Sequence, residues 1–198
     1  MLTPHIKKEK PPFPYDRPLS WSQISSFKYR PSQWYASYVL GIRGSSPEMT
    51  FGSMVDKRIQ DEPDYLPKIT RLTHLQYKLE VELNGVNLIG LPDALDLENP
   101  HLIDYKTGRN KWDKKRANET GQLTMYLLMI YIKHKIEPEK FRCAIQWMPT
   151  HIKDGEVAFV EEGEVITIET KRTMKDILEF GQEIVKVRQQ MLDYYNRQ

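Results

Sequence analysis

The chain has 198 residues, and 29 lysines and arginines against 27 aspartates and glutamates give it a formal net charge of +2. Its 28% charged and 11% aromatic residues are typical of a globular protein and exclude a disordered or fibrous chain. The single cysteine, Cys143, excludes an internal disulfide framework and any zinc or iron–sulfur site held by several cysteines of this chain.

The first 18 residues predict a flexible arm, because they carry five of the 13 prolines together with several lysines. We expect a single domain over residues 19–198, a length that allows a sizeable core. The early lysines are followed by prolines rather than by an apolar segment, and the longest uncharged apolar stretch, residues 120–132, is too short to span a membrane. The expected location is therefore intracellular, either cytoplasmic or nucleoid-associated, with no membrane partner.

Helices come first in the predicted order of elements, since serine and proline favour helix starts and glycine favours helix ends. They are expected from Ser20 or Ser22 to Tyr29, from Pro31 to Gly41, and over residues 47–61. Strands follow over residues 77–83, 86–96 and 101–106, and the first two are joined by a hairpin turn at Asn84-Gly85.

In the second half of the chain, the apolar residues first recur at helical spacing and then alternate with polar residues as in strands. A helix is expected over residues 114–134, strands over 141–148, 156–161 and 164–170, and a last helix over 171–196. This order predicts a mixed sheet with helices packed on it, of the α/β or the α+β class.

Asp104 and Lys106 occupy alternate positions of a predicted strand, so their side chains share one face of it. The preceding strand is joined to this one by a short turn and should pair with it antiparallel, which brings Asp93 close. Two carboxylates and one ammonium group would then converge, an arrangement that suits Mg²⁺ or Mn²⁺ and phosphodiester hydrolysis. The alternative is a pair of solvated charges on a hairpin face, the commoner meaning of an isolated Asp-x-Lys.

Three segments occur here in a fixed order: Gly90-Leu-Pro-Asp93, Asp104-Tyr105-Lys106-Thr107-Gly108 and Gln122-Leu-Thr-Met-Tyr126. Together with residues 19–27 and 51–56, they resemble the RecB-type branch of the PD-(D/E)XK nuclease superfamily. The resemblance implies an α/β fold in which a central mixed β-sheet is flanked by helices, as in the restriction-endonuclease-like core. It also implies a metal-dependent site that cleaves DNA.

The resemblance implies roles for individual residues. By position, Asp93 and Asp104 would bind Mg²⁺ or Mn²⁺ together with the main-chain carbonyl of Tyr105, and Lys106 would be the catalytic lysine. The histidines show no metal-ligand spacing, and no phosphate-binding glycine loop occurs, so we expect no ATP site.

Gln122 and Tyr126 match the trailing Gln-x-x-x-Tyr of the family. Their spacing places both on one face of a helix, where they would order the substrate backbone or support Lys106. Judged on spacing alone, a polar-edged helix face beside the core explains this pair equally well.

Two departures from the family pattern stand out. The family usually has Gly-x-x-x-His, in which the histidine is a metal ligand, whereas this chain has Gly52 followed by Asp56. Aspartate suits a hard cation, so Asp56 is predicted as a ligand, with a helix-surface residue in an incomplete site as the alternative. Many relatives also hold an iron–sulfur cluster through four cysteines, which this chain lacks. We therefore expect no cluster and a buried, apolar role for Cys143.

A local excess of positive charge follows the predicted catalytic strand. Residues 106–116 contain six bases and one acid. Bases beside an aromatic ring suit phosphate contacts and base stacking on a DNA strand, although a lysine-rich helix start is often only solvated. The predicted nucleic-acid-binding residues of this segment are Arg109, Lys111, Trp112, Lys114, Lys115 and Arg116.

These features favour a Mg²⁺- or Mn²⁺-dependent deoxyribonuclease that acts on single-stranded DNA or duplex ends in recombination, repair or replication. Exonuclease activity is favoured over sequence-specific endonuclease activity by family analogy. The alternative is a non-catalytic nucleic-acid-binding or scaffolding subunit on a degenerate nuclease fold, which the aspartate at position 56 prompts. A third hypothesis is that the chain cleaves only beside a helicase or recombination partner.

Overall fold

The computed structural model describes residues 12–14, 17–161 and 163–198. Its helices are α1 (Trp21–Tyr29), α2 (Pro31–Trp34, continued by a π-helical turn over Tyr35–Val39), α3 (Pro47–Asp61), α4 (Lys114–Glu119), α5 (Gly121–His134) and α6 (Met174–Asn196). Its strands are β1 (His74–Leu75), β2 (Leu79–Leu83), β3 (Val86–Gly90), β4 (Ala94–Asp96), β5 (His101–Gly108), β6 (Arg142–Lys153), β7 (Glu156–Phe159) and β8 (Ile166–Thr170).

A mixed sheet with the strand order β1-β4-β5-β6-β7 organises the molecule. The first half of β6 pairs with β8 and its second half with β7. Strands β5 and β6 run parallel, and α4 and α5 form the crossover between them, whereas β4 pairs antiparallel with β5. The β4–β5 pairing ends at Ala94 and Ile103, and among the described residues no strand pairs with the remainder of β5 on that side.

The sheet separates two apolar clusters. Helix α5, with nine buried residues, packs on one face together with α1, α2 and α6, while α3 covers the other face. Alternate side chains of β5 face opposite sides of the sheet. Leu102 therefore belongs to the first cluster, and Ile103 and Tyr105 belong to the second. The predicted α/β sandwich of a mixed sheet flanked by helices is confirmed.

Local signals explain most element boundaries. Ser20 and Ser46 cap α1 and α3 by accepting a hydrogen bond from the backbone three residues later. Asn84 and Gly85 form the hairpin turn between β2 and β3 with φ of 49° and 77°, as the Asn-Gly pair predicts. The boundaries of α3 agree with the predicted helix over residues 47–61.

Two predicted elements are each divided in the structure. The strand expected over residues 86–96 breaks between Gly90 and Ala94, at a segment containing Pro92, which has no N–H for a strand ladder. The helix expected over 114–134 breaks at Thr120, whose hydroxyl accepts a hydrogen bond from the Gln122 N–H. The carbonyl of Thr120 accepts a further bond from the buried guanidinium of Arg172 at 3.0 Å, so the break is held from another element.

The predicted flexible arm over residues 1–18 needs a correction within its described part. Phe13 is 4% exposed, and its ring centroid lies 5.2 Å from that of Tyr195 and 6.3 Å from that of Trp34. This aromatic side chain therefore belongs to the core, and burial of a phenyl ring outweighs the extended character of the surrounding prolines. Residues 1–11, 15 and 16 lie outside the described residues, so the rest of the prediction has no structural counterpart. Within the described parts of the chain, no helix is long and apolar enough to cross a membrane.

Candidate active site

Asp104 is a fully buried carboxylate in the middle of β5, with 0% exposure. The ammonium of Lys106 lies 2.6 Å from its Oδ2 as an ion pair. Within the described residues, Oδ1 has no hydrogen-bond partner, and this ammonium is the one polar partner of Oδ2. A buried carboxylate with so few partners is costly, and it is the kind of group that a cation stabilises.

Asp93 lies in the break between β3 and β4, beside the unpaired side of β5. Its Oδ2 accepts a hydrogen bond from the Tyr105 N–H at 2.7 Å, so the side chain takes the place that a ladder partner would occupy. Its Oδ1 accepts a second bond from Gln76 Nε2, also at 2.7 Å. Burial, and then the neighbouring charge of Asp104, raise the pKa of Asp93 to about 8.

Gln76 is a residue of this site that the sequence did not predict. It lies immediately after β1 and its spacing to the other site residues matches no motif, so only the sheet register reveals it.

Lys106 follows Asp104 on the same face of β5, as the strand alternation predicts, and its side chain is 25% exposed. Its ammonium donates a hydrogen bond to Gln122 Oε1 at 3.0 Å. Burial lowers the pKa of this lysine, but the charges of Asp104 and Asp93 outweigh burial, so the pKa is raised overall. Lys106 therefore remains a cation at neutral pH.

A chain of hydrogen bonds continues from Lys106 across α5. Gln122 Nε2 donates to the Tyr126 hydroxyl at 2.9 Å, and this hydroxyl donates to the Leu91 carbonyl at 3.2 Å. A Cβ on Gly90 would lie 2.9 Å from the Tyr126 ring, so the glycine allows the ring to pack on the end of β3. The Gly-x-x-Asp and Gln-x-x-x-Tyr segments are thus in direct contact.

Asp56 approaches the same place from α3 and is half-buried. Burial raises its pKa, and it interacts electrostatically with the charges of Lys106 and Asp104. One turn earlier, a Cβ on Gly52 would lie 3.1 Å from Thr107 Oγ1, so the glycine lets α3 approach the end of β5. The structure therefore brings Asp56, Asp93, Asp104 and Lys106 together, although their side chains come from three separate segments.

A sequence model of the PD-(D/E)XK nuclease superfamily matches residues 51–197 of this protein, which include all four of these charged residues. The chain belongs to this superfamily. The matched range contains Pro92-Asp93 and Asp104-Tyr105-Lys106, and the Asp93 side chain lies against β5 at Tyr105.

The fold of this protein is similar to that of a protein of known structure. A crystal structure from Eubacterium rectale named "Putative exonuclease" matches with a TM-score of 0.60 and 14% sequence identity, over 93% of this chain and 84% of that chain. At this identity the likeness concerns the fold. No curated protein shows significant sequence similarity to the chain.

The PD-(D/E)XK site has hard oxygen donors, which suit a divalent cation of the Mg²⁺ type. Asp104 contributes two buried oxygens, of which Oδ1 has no hydrogen-bond partner among the described residues. The N–H and C=O of a strand residue point to the same side, so the Tyr105 carbonyl faces the side of Asp93. In the described part of the chain, no three His, Cys, Asp or Glu side chains form a complete metal-binding group, and Lys106 lies against Asp104 instead. The donor types therefore fit a cation, with a main-chain carbonyl among them.

The basic residues that follow β5, between positions 109 and 116, have different surroundings. Arg109 forms an ion pair with Glu48 at 3.3 Å, while Lys111 and Lys115 are exposed. Lys114 donates to the main-chain carbonyl of Glu169 in β8, which pairs with β6 and not with β5.

Trp112 requires a correction as a predicted base-stacking residue. Its side chain is 8% exposed and belongs to the core cluster, and the guanidinium of Arg116 covers its ring at 3.9 Å from the centroid. A ring held in this way cannot stack on a base, because its large apolar surface is more stable in the core. Arg116 also donates to the carbonyls of Asn110 and Lys111, so it stabilises this loop.

Cys143 is buried, with 2% exposure, and burial raises the pKa of its thiol to about 12. Such a thiol is neutral at physiological pH and unreactive, which confirms the expected apolar role.

Proposed function

We propose that this protein is a RecB-like, Mg²⁺- or Mn²⁺-dependent deoxyribonuclease that hydrolyses DNA phosphodiester bonds. The observation that carries the proposal is the buried Asp104 carboxylate, whose one polar partner among the described residues is the Lys106 ammonium and whose charge interacts with that of Asp93. Membership of a nuclease superfamily supports a nucleic acid as the substrate.

In this proposal Asp93, Asp104 and the Tyr105 carbonyl hold the divalent cation, and Asp56 is a further candidate ligand. When bound, the cation would lower the pKa of a water molecule and neutralise charge on the scissile phosphate. The three carboxylates attract the cation, and their mutual repulsion is the reason that the metal-free site needs Lys106 as a counter-charge.

Lys106 stabilises negative charge in the proposed reaction. Because its pKa is raised, the side chain is protonated and acts as a hydrogen-bond donor to a phosphate oxygen or to the departing oxygen, rather than as a base. Gln122 fixes the direction of the ammonium, and Tyr126 fixes Gln122. The Gln-x-x-x-Tyr pair therefore supports the lysine in this proposal.

DNA is the proposed partner, with Arg109, Lys111 and Lys115 as exposed positive charges for its phosphates. An exonuclease that acts on single strands or duplex ends is proposed from the RecB-like motifs and from the name of the structural neighbour. Recombination, repair or replication would be the setting, with a helicase or recombination protein as a further partner.

The decisive experiment measures cleavage of end-labelled DNA by the purified chain in Mg²⁺, Mn²⁺ or EDTA. Cleavage should require the metal, and Lys106→Ala and Asp104→Asn should each lower the rate at least about 100-fold. Lys78→Ala is a matched control, because Lys78, just before β2, forms an exposed ion pair at 2.7 Å with Glu80 at the same two-residue spacing. Equal cleavage by all four proteins would overturn the assignment of the catalytic residues.

The aspartate in place of the usual histidine is the observation that favours a second candidate, a non-catalytic DNA-binding subunit. Calorimetric titration with Mn²⁺ separates the two functions. Salt-sensitive DNA binding without Mn²⁺ binding, unchanged by Lys106→Ala, would favour the subunit and contradict the enzyme.

A further inference from the structure

Gln76 lies against Asp93 through both its main chain and its side chain. Its N–H donates to the Asp93 carbonyl at 3.2 Å, which extends the β1–β4 pairing by one bond. Its backbone has a φ of 52°, in the left-handed region, and this turn directs the side chain back toward the strand. The amide Nε2 then reaches Asp93 Oδ1 at 2.7 Å.

The two proposed acidic ligands are held very differently. Each oxygen of Asp93 accepts one hydrogen bond, from Gln76 Nε2 and from the Tyr105 N–H. Among the described residues, Asp104 instead has the Lys106 ammonium 2.6 Å from its Oδ2 and no partner at its Oδ1. Two donors at opposite oxygens fix the plane of a carboxylate. A carboxylate has about four lone-pair positions, so Asp93 keeps free positions for a cation.

We infer that Gln76 is a positioning residue that holds the Asp93 carboxylate in place for the divalent cation. This inference rests on the proposed function, since it concerns the same metal site.

An amide is well suited to this task. It donates a hydrogen bond without adding positive charge, so it does not compete with the cation for the carboxylate. An ammonium or guanidinium group at the same place would compete with the metal, as Lys106 does at Asp104. Partners that orient metal ligands in this way typically change metal affinity 10- to 100-fold when they are removed.

The test is calorimetric titration of the full chain with Mn²⁺. Gln76→Met keeps the length of the side chain and removes the donor, and we expect Mn²⁺ to bind about 10-fold more weakly. Gln189→Met is the matched control, because Gln189 Nε2 donates to the Asp193 carboxylate at 2.9 Å on the exposed face of α6. This control should bind Mn²⁺ as tightly as the wild type.

Gln76→Gly provides a second test in case the methionine variant does not fold. Glycine tolerates the left-handed φ and can keep the N–H bond to Asp93, so it removes the whole side chain without straining the backbone. We expect the same weakening of Mn²⁺ binding with an unfolding midpoint close to that of the wild type. In DNA cleavage, the Mn²⁺ concentration for half-maximal rate should rise by a similar factor, while the rate at saturating Mn²⁺ stays within about two-fold.

The outcomes distinguish an error in the role of Gln76 from an error in the proposed metal site. If the wild type binds Mn²⁺ and Asp104→Asn does not, but both Gln76 variants bind like the wild type, the role of Gln76 is wrong and the proposed metal site stands. If the wild type does not bind Mn²⁺, or Asp104→Asn binds it equally well, the metal site and the role of Gln76 fall together.

Discussion

Lys106 donates a hydrogen bond to Gln122 at 3.0 Å, which joins the Asp-Tyr-Lys segment of β5 to the first turn of α5. The same ammonium forms the ion pair with Asp104, so two fixed acceptors determine its direction. Gln122 is in turn held by the Tyr126 hydroxyl, which is anchored on the Leu91 carbonyl two residues before Asp93. The separate motifs of the sequence therefore form one closed hydrogen-bonded unit around the lysine.

Removal of the Gln122 amide should lower catalysis more than stability. In Gln122→Met, Lys106 keeps its ion pair but loses the acceptor that sets its direction, so we expect kcat for DNA cleavage to fall about 10- to 100-fold. KM for DNA should change less than three-fold if the residue supports the lysine. A large rise in KM with an unchanged kcat would show instead that Gln122 binds the DNA backbone.

A methyl group at Gly90 should destabilise the protein through the Tyr126 ring. The Cβ of Gly90→Ala would lie 2.9 Å from this ring and 3.1 Å from Met129 Sδ, so β3 and α5 must move apart. We expect a loss of about 1–3 kcal/mol in the free energy of unfolding in urea. Gly44→Ala is the control, because a Cβ there has no neighbour within 4 Å, and its stability should remain close to that of the wild type.

Much of the site could be predicted from the sequence because it depends on short-range rules. Strand alternation correctly placed Asp104 and Lys106 on one face, and the short turn before β5 correctly placed Asp93 beside it. Helical spacing placed Gln122 and Tyr126 on one face of α5, where they contact each other.

The remaining features depend on contacts that no local pattern encodes. Gln76 reaches Asp93 only because β1 pairs with β4 in one register. The break at Thr120 is held by Arg172, which is 52 residues away in the sequence. Trp112 is an aromatic residue within a basic loop, which suggests base stacking. Only the packed structure reveals that its ring is part of the core.

The raised pKa of Asp93 predicts that this carboxyl destabilises the metal-free protein increasingly as the pH rises. Because the folded-state pKa is about 8 and the unfolded value is near 3.8, Asp93 binds more protons in the folded state between these limits. Its contribution to the free energy of unfolding therefore decreases from about pH 4 to pH 8. Asp93→Asn removes this titration.

Urea unfolding in EDTA at pH 5 and pH 8 measures the effect. The stability of Asp93→Asn relative to the wild type should increase by at least about 1 kcal/mol between these two values. Asp193→Asn, at an exposed position of α6, controls for the substitution itself and should parallel the wild type. A difference between Asp93→Asn and wild type that does not change with pH would contradict the raised pKa.

The basic segment after β5 should contribute to DNA binding through charge and not through its tryptophan. Lys111 is exposed, so Lys111→Ala should weaken binding of single-stranded DNA and reduce the dependence of log Kd on log salt by about 0.7, the value for one phosphate contact on a single strand. Lys175→Ala, an exposed lysine on α6, should leave the salt dependence unchanged.

Trp112→Phe tests the other half of this prediction. Because Trp112 is buried, the smaller ring should lower the free energy of unfolding by about 1–3 kcal/mol through the cavity that it leaves. The affinity of the folded variant for single-stranded DNA should remain within two-fold of the wild type. A loss of affinity of ten-fold or more, with unchanged stability, would mean that the ring leaves the core to stack on DNA. Fluorescence anisotropy with a labelled oligonucleotide and urea unfolding on the same preparation distinguish these outcomes.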